Sequence, residues 1–331
     1  MDESLNAGLM AGLSGMFGDD AELEKAELIP GGASKESWAV DLATPQGRLE
    51  VLVRRGAGGV IYSETLSLEQ EFRVLEAAYR SGVRVPKPYG YLEDLDGREA
   101  FIMERLKGEG IGRRLVQRPE FAVAREALPG QMAEELSRIH TISAEELPDL
   151  PGDRDKPGAE YAISTLEREL DDLGEPHPAI ELGLLWLREH PPTDHGVVLN
   201  HGDFRLGNFM VSEESLVGIL DWEFAHFGDP GEDLAWPLVR AWRFGVDHLR
   251  LGGFGEVEPY LDKYNELTGR FVILVDLFYW ELAGNVRWAV GALNQARRHL
   301  SGQEPSVELA ILGRLAAEVE YEILHLIERG S

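Results

Sequence analysis

The sequence predicts an α+β protein in two lobes: a small antiparallel β lobe with one helix over residues 1–106, and a larger, mainly helical lobe over 107–331. Three observations lead there. Strand-type apolar patterning dominates from about Glu27 to Arg105, and helical periodicity dominates beyond Lys107. At 331 residues a single compact core is hard to sustain, so two apposed lobes with a cleft between them are expected.

In the first third, Trp38 to Leu42 and Leu49 to Val53 alternate as strands, and the turn-prone Pro45-Gln46-Gly47 between them makes a hairpin. Leu66 to Arg80 then places Leu68, Phe72, Leu75 and Ala78 on one helical face, and Ser81-Gly82 ends that helix. Two further strands, Tyr89 to Glu93 and Ala100 to Arg105, flank the turn Asp94 to Arg98.

Beyond the strands, helices are predicted over Phe121 to Ile142, Tyr161 to Leu173, Ile180 to Glu189, Tyr260 to Leu267, Leu274 to Leu300 and Val307 to Arg329. The turn-rich Asp149 to Gly158 reads as a loop, because apolar-faced helices lie on both sides of it. Two short β-like stretches, Asn208 to Ser212 and Leu216 to Asp221, interrupt the helical region directly after a polar segment beginning at Asn200. That interruption is the most informative place in the chain.

Composition narrows the partners. With 32 basic and 59 acidic residues the formal net charge is −27, which works against binding a phosphate backbone, so no nucleic-acid partner is expected. The Met1-Asp2-Glu3-Ser4 start lacks the basic region of a signal peptide, and glycines break the apolar stretch Ala7 to Phe17. No run approaches the roughly 18–20 apolar residues a membrane span needs. A soluble, cytoplasmic chain without a membrane partner is the expectation. The absence of cysteine is neutral on redox compartment.

The chemistry concentrates in His201-Gly202-Asp203-Phe204-Arg205-Leu206-Gly207-Asn208, an H-x-D-x-x-x-x-N spacing like that of a kinase catalytic loop. Asp221 follows at the end of the apolar run Val217 to Leu220. Phosphoryl transfer needs a carboxylate that orients the attacking hydroxyl, a carboxylate that binds the metal bridging the phosphates, and a neutral oxygen donor completing that metal's shell. Asp203, Asp221 and Asn208 match these roles in that order. His201 reads as a scaffold of the catalytic loop rather than a proton carrier.

The loop HGDFRLGN, the segment GILDWEFAHFGDPGEDLAW and the N-terminal GGASKESW together resemble the aminoglycoside phosphotransferase family of protein-kinase-like small-molecule kinases. The similarity runs from about Leu28 to the C-terminal helices. It implies a bilobal protein-kinase-like fold with ATP or GTP between the lobes, Mg2+ as cofactor, and a small-molecule hydroxyl acceptor, in a monomer or homodimer.

The resemblance also distributes roles over residues. Pro30 to Glu36 occupies the place of a phosphate-covering turn, where Gly32 lets the backbone approach phosphate oxygens and Ser34 and Lys35 add donors. Kinases carry a lysine on the third strand, paired with a helical glutamate. Here that position holds Arg54, with Glu71 as its partner, and strand alternation turns Arg55 to the opposite face. Met103 and Glu104 close the last strand of the small lobe, where similar kinases hold the purine.

Acceptor candidates are Arg205, Glu223, Asp233, Trp236, Arg240, Trp280, Glu281, Asn285, Arg287 and Trp288, with Asp233 read instead as bracing the helix that starts near Gly231. Aminoglycosides would need carboxylates there, and a hydroxy acid or acyl thioester would need cations such as Arg240 or Arg287. The sequence offers both signs and leaves the acceptor open. Two other readings stand beside the kinase: a catalytically silent kinase-like nucleotide-binding module, suggested by Arg54, and a metallohydrolase using His201 and Asp203 with His195.

Overall fold

The structure, a computed structural model, describes residues 3–18, 20–29, 35–56 and 64–330. The N-terminal lobe consists of helix α1 (Glu3–Phe17), strands β1 (Glu22–Ile29), β2 (Lys35–Thr44) and β3 (Gly47–Gly56), helix α2 (Leu68–Arg80), and strands β4 (Pro88–Leu92) and β5 (Ala100–Glu104). The strands form one antiparallel sheet in the order β1-β2-β3-β5-β4. The expected hairpin is present with Trp38 opposite Val53 and Val40 opposite Val51.

Alternation splits this sheet into two faces. Val51, Val53, Ala100 and Ile102 bury against Leu9 and Leu13 of α1, whereas Phe101 and Met103 join the core that contains Phe72 and Leu75 of α2. Ser67 begins α2 with a reciprocal cap: its hydroxyl accepts the Gln70 N–H, and the Gln70 side chain accepts the Ser67 N–H. Helix α1 is an element that the sequence patterns above do not predict. Gly8 and Gly12 serve close packing there, since a Cβ on Gly12 would lie 2.6 Å from Leu92 and one on Gly8 3.3 Å from Leu95.

The second lobe continues with α3 (Gly112–Gln117), α4 (Ala122–Ile139), α5 (Gly158–Leu173) and α6 (Pro178–Glu189), then β6 (Val198–Asn200), β7 (Phe209–Val211), β8 (Leu216–Ile219) and β9 (His226–Gly228). It ends with α7 (Pro230–Ala235), α8 (Val257–Thr268), α9 (Leu274–Leu300) and α10 (Val307–Gly330). α9 is the spine of this lobe, with sixteen buried residues along its length. Strand β6 pairs with β9 and β7 with β8, both antiparallel. Among the described residues no helix is long and apolar enough to cross a membrane.

Candidate active site

The two short hairpins assemble the site. Residues 201–208 connect β6 to β7, and residues 220–225 connect β8 to β9, so the pairing of β6 with β9 and of β7 with β8 folds the two connections onto each other. The Leu220 N–H donates to the Asn208 carbonyl at 2.8 Å, closing the gap between them.

His201 is fully buried, and both ring nitrogens meet backbone. Nδ1 accepts the Asp203 N–H at 3.1 Å, which leaves Nε2 to carry the proton and donate to the Leu220 carbonyl at 3.0 Å. Burial holds its pKa below the ordinary histidine value, outweighing the nearby Asp233 and Asp203, so the neutral ring fits this tautomer. The backbone before it is held by Asp233, which accepts the His201 N–H at 2.6 Å and the Gly202 N–H at 2.9 Å. This corrects the expectation for Asp233: the cap of α7 is Asp229, through the Gly231 N–H at 2.7 Å, while Asp233 braces the catalytic loop. Gly202 takes φ +80°, and a Cβ there would overlap the Phe224 carbonyl.

Asp203 is 8% exposed and richly donated to. Its Oδ1 accepts the Trp236 indole N–H at 2.6 Å and Arg205 Nε at 2.9 Å, and its Oδ2 accepts Asn208 Nδ2 at 2.5 Å. Arg205 in turn lies over the Trp242 ring at 4.0 Å. These donors fix the carboxylate in one orientation.

Across the cleft lies a buried charge cluster. Arg54 reaches Asp221 Oδ1 at 2.5 Å and Glu71 at 3.3 Å, while Lys35 pairs with Glu71 and, at 3.1 Å, with Glu223. The expected Arg54–Glu71 pair is therefore shared: Lys35, read as a donor on the phosphate-covering turn, opens β2 and takes Glu71 as well. The helix-facing register explains it, because Ser37 lies opposite Arg54 and Lys35 is two residues along on the same face. Arg55 turns the other way, donating to the Leu95 carbonyl at 3.0 Å and pairing with Glu36.

Asp221 sits at φ +68°. Burial would raise its pKa, but Arg54 and Lys35 hold the carboxyl below its ordinary value. Burial and the neighbouring Asp221 push Glu223 the other way, up from the usual glutamate range, against the pull of Lys35 and Arg54. Gly32 and Ser34 lie outside the described residues.

Met103 lines a narrow cleft together with Arg54, Glu71, Phe101, Leu220 and Asp221. Glu104 is exposed, and its N–H already donates to the Lys87 carbonyl at 2.9 Å, so that amide is not the group that meets a purine.

The oxygen donors suit a hard divalent ion. Three carboxylates, Glu71, Asp221 and Glu223, face two cations, and Asn208 commits its amide nitrogen to Asp203, so its side-chain oxygen is the atom that could accept or ligate. Among the described residues no group of three or more His, Cys, Asp or Glu side chains is placed to hold a metal. That counts against the metallohydrolase, whose third candidate, His195, instead bonds Asp276 at 2.9 Å. Magnesium characteristically takes one or two carboxylates plus phosphate oxygens, so a full protein cage is not required of it.

A second cavity lies behind the 201–208 loop, touching it through two of its wall residues. Trp236, which bonds Asp203, and Arg287, which donates to the Gly202 carbonyl at 2.7 Å, both line it, as does Trp280. Other acceptor candidates are elsewhere. Glu281 is buried against Arg243 and Arg250, Asn285 bonds the Glu281 carbonyl, and Arg240 pairs with Asp247 and Glu322 at the surface. Glu64, Tyr161, Phe224, His226 and Glu232 line the cavity without having been picked out for it. They come from four separate segments, and only the proximity of Phe224 and His226 to Asp221 could have suggested them.

The sequence model of the phosphotransferase enzyme family matches residues 25–267. Among curated relatives, acyl-CoA dehydrogenase family member 11 of Pongo abelii is 30% identical over 226 residues, covering 65% of this chain and 28% of its own length. Acyl-CoA dehydrogenase family member 10 of Mus musculus is 28% identical over 304 residues, covering 86% and 27%. The chain thus spans about a quarter of the length of these relatives. Among solved structures, a Ralstonia eutropha protein assigned to the aminoglycoside phosphotransferases aligns with TM-score 0.76 at 23% identity, covering 98% of both chains. Spectinomycin phosphotransferase in complex with ADP and spectinomycin aligns with TM-score 0.61 at 14% identity, covering 95% of this chain and 97% of its own. The likeness extends the kinase-like fold over the whole chain, and the match over 25–267 establishes that this protein belongs to the phosphotransferase enzyme family.

Proposed function

We propose that the protein transfers the γ-phosphoryl group of ATP or GTP to a hydroxyl of a small molecule in a Mg2+-dependent reaction. Residues 1–106 act as the nucleotide-binding lobe, and residues 107–331 carry the catalytic loop and the acceptor site. The observation that carries this reading is the convergence of Asp203, Asn208 and Asp221: Asn208 bonds the Asp203 carboxylate, and its carbonyl accepts the N–H of the residue before Asp221.

Asp203 orients the acceptor hydroxyl, whose oxygen attacks the γ-phosphorus. The bond from the γ-phosphorus to the β–γ bridging oxygen breaks, the nucleoside diphosphate leaves with the electron pair, and the hydroxyl proton passes to the Asp203 carboxylate and on to solvent. Trp236, Arg205 and Asn208 hold that carboxylate still; His201 and Asp233 hold its backbone. Asp221 and Asn208 are the residues that would hold a magnesium ion, which supplies neutralisation of phosphate charge. Arg54 and Lys35 face the same region and favour the anionic phosphates.

The test is nucleotide consumption with and without Mg2+ across a library of alcohols, sugars and hydroxyacyl compounds. Metal-dependent turnover on at least one acceptor supports the reading. A second reading, a silent nucleotide-binding module, draws on the contact of Arg54 with Asp221. Tight nucleotide binding with no turnover on any acceptor would favour it.

A further inference from the structure

The cavity whose wall residues Trp236 and Arg287 bond Asp203 and the Gly202 carbonyl has charged groups that the protein already engages. Glu64 accepts the Tyr161 hydroxyl at 2.8 Å and Arg168 at 3.0 Å, and Glu169 accepts Asn294 at 3.0 Å. Glu232 pairs with His226 at 3.0 Å and also accepts the Asp229 N–H at 3.1 Å. Arg287 donates to the Gly202 carbonyl and lies over the Trp236 ring at 4.9 Å. What remains toward the space is mostly apolar: Phe224, Leu166, Ala283, Gly284 and the rings of Trp236 and Trp280, with the unpartnered Trp280 indole N–H as the polar exception.

A polyhydroxylated ligand brings many donors and acceptors, each of which costs free energy if it leaves water and finds no partner. This cavity holds few uncommitted partners for them. A hydrocarbon or aromatic body loses nothing on entering and gains from burial against the indole and phenyl faces.

We infer that the acceptor is an alcohol carried on an apolar body, aliphatic or aromatic, rather than a sugar, a polyol or a polycationic aminoglycoside. The inference rests on the kinase reading for the fate of the hydroxyl, but not for the binding.

The experiment therefore measures both. Binding of 1-octanol, 3-phenylpropan-1-ol, 12-hydroxydodecanoate, glucose, glycerol and kanamycin is followed by quenching of tryptophan fluorescence, with Trp236 and Trp280 as wall residues. Turnover on the same compounds is followed by nucleoside diphosphate release. The apolar alcohols are expected to bind at least about tenfold more tightly than glycerol or glucose, with affinity rising about threefold per added methylene until the space fills. Ala162→Trp, on a half-buried position of α5 facing the cavity, should abolish that binding. Thr165→Trp serves the same purpose should the first variant fold poorly.

Binding of the apolar alcohols without turnover on any compound upholds an apolar ligand class for the cavity and removes the kinase reading. Turnover on glucose or kanamycin, with no preference for apolar bodies, overturns the class and leaves the kinase reading standing. Absence of apolar-alcohol binding, or binding unchanged in both tryptophan variants, also overturns the class.

Discussion

Trp236 donates its indole N–H to Asp203 Oδ1 over 2.6 Å, and the same ring forms part of the wall of the proposed acceptor cavity. Contact with the acceptor and alignment of the proposed base thus depend on one side chain. Trp236→Phe keeps an aromatic wall and deletes the donor. Losing one hydrogen bond to a charged acceptor costs roughly 1.5–3 kcal/mol, so kcat should fall about ten- to hundredfold. Steady-state kinetics with separate kcat and KM would show a change mainly in kcat.

Asp203→Asn tests the proposed chemistry directly. The amide keeps the shape but cannot take the hydroxyl proton, and turnover should drop by about two to four orders of magnitude. Nucleotide affinity, measured by calorimetry, should stay within about threefold, because Asp203 faces the acceptor side. Unchanged turnover would remove Asp203 from the mechanism.

Asp233 offers a different signature, because it meets the loop backbone and the buried His140 ring. It is 1% exposed and accepts two backbone N–H groups. Asp233→Ala leaves both buried and unsatisfied, with an expected loss of about 2–4 kcal/mol in unfolding free energy by denaturant titration. Gly202→Ala should behave similarly, since φ +80° is costly for alanine and its Cβ meets the Phe224 carbonyl.

Lys35 and Arg54 each bridge two carboxylates and share Glu71. Lys35→Met leaves Glu71 and Glu223 short of a cation in a buried setting, at a cost of about 3–5 kcal/mol. Combining it with Glu71→Gln should recover part of that loss, which a double-mutant cycle on melting temperatures would detect. Strict additivity would show that the two groups do not act as a pair.

The pH dependence separates opposing groups. Burial raises Asp229 to about 7, with Glu232 adding to the effect against the donated N–H of Gly231. Its folded-state pKa thus exceeds the ordinary value of 3.8, so the folded protein binds more protons between about pH 4 and 7. This group therefore removes stability as pH rises through that window. His201 acts in reverse: its folded pKa is lowered, so stability is lost as pH falls below the ordinary histidine value of 6.5. Asp229→Asn preserves a good N-cap residue and should gain on wild type from pH 5 to pH 8, by on the order of a few kcal/mol. Paired melting curves at the two pH values would measure it.

Much of this was legible because it is local. The Trp38 to Val53 hairpin, the helix ending at Arg80 and the long helix from Leu274 to Leu300 follow from spacing that a single segment displays. The proposed catalytic residues were legible for a similar reason: His201, Asp203 and Asn208 share one loop, and Asp221 follows a recognisable apolar run. Helix α1 was not, because Gly8 and Gly12 weaken a helical signal and their purpose lies in Leu92 and Leu95, some eighty residues away.

Local order along the chain therefore set the element types, the acidic net charge and the loop that carries Asp203. The folded arrangement decided which cation meets Glu71, which aspartate braces His201, and which side chains enclose the acceptor space. The reason is physical. An ion pair or a cavity wall joins residues tens to more than a hundred positions apart, and sheet register and helix docking, rather than any spacing in the chain, bring such atoms within 3 Å.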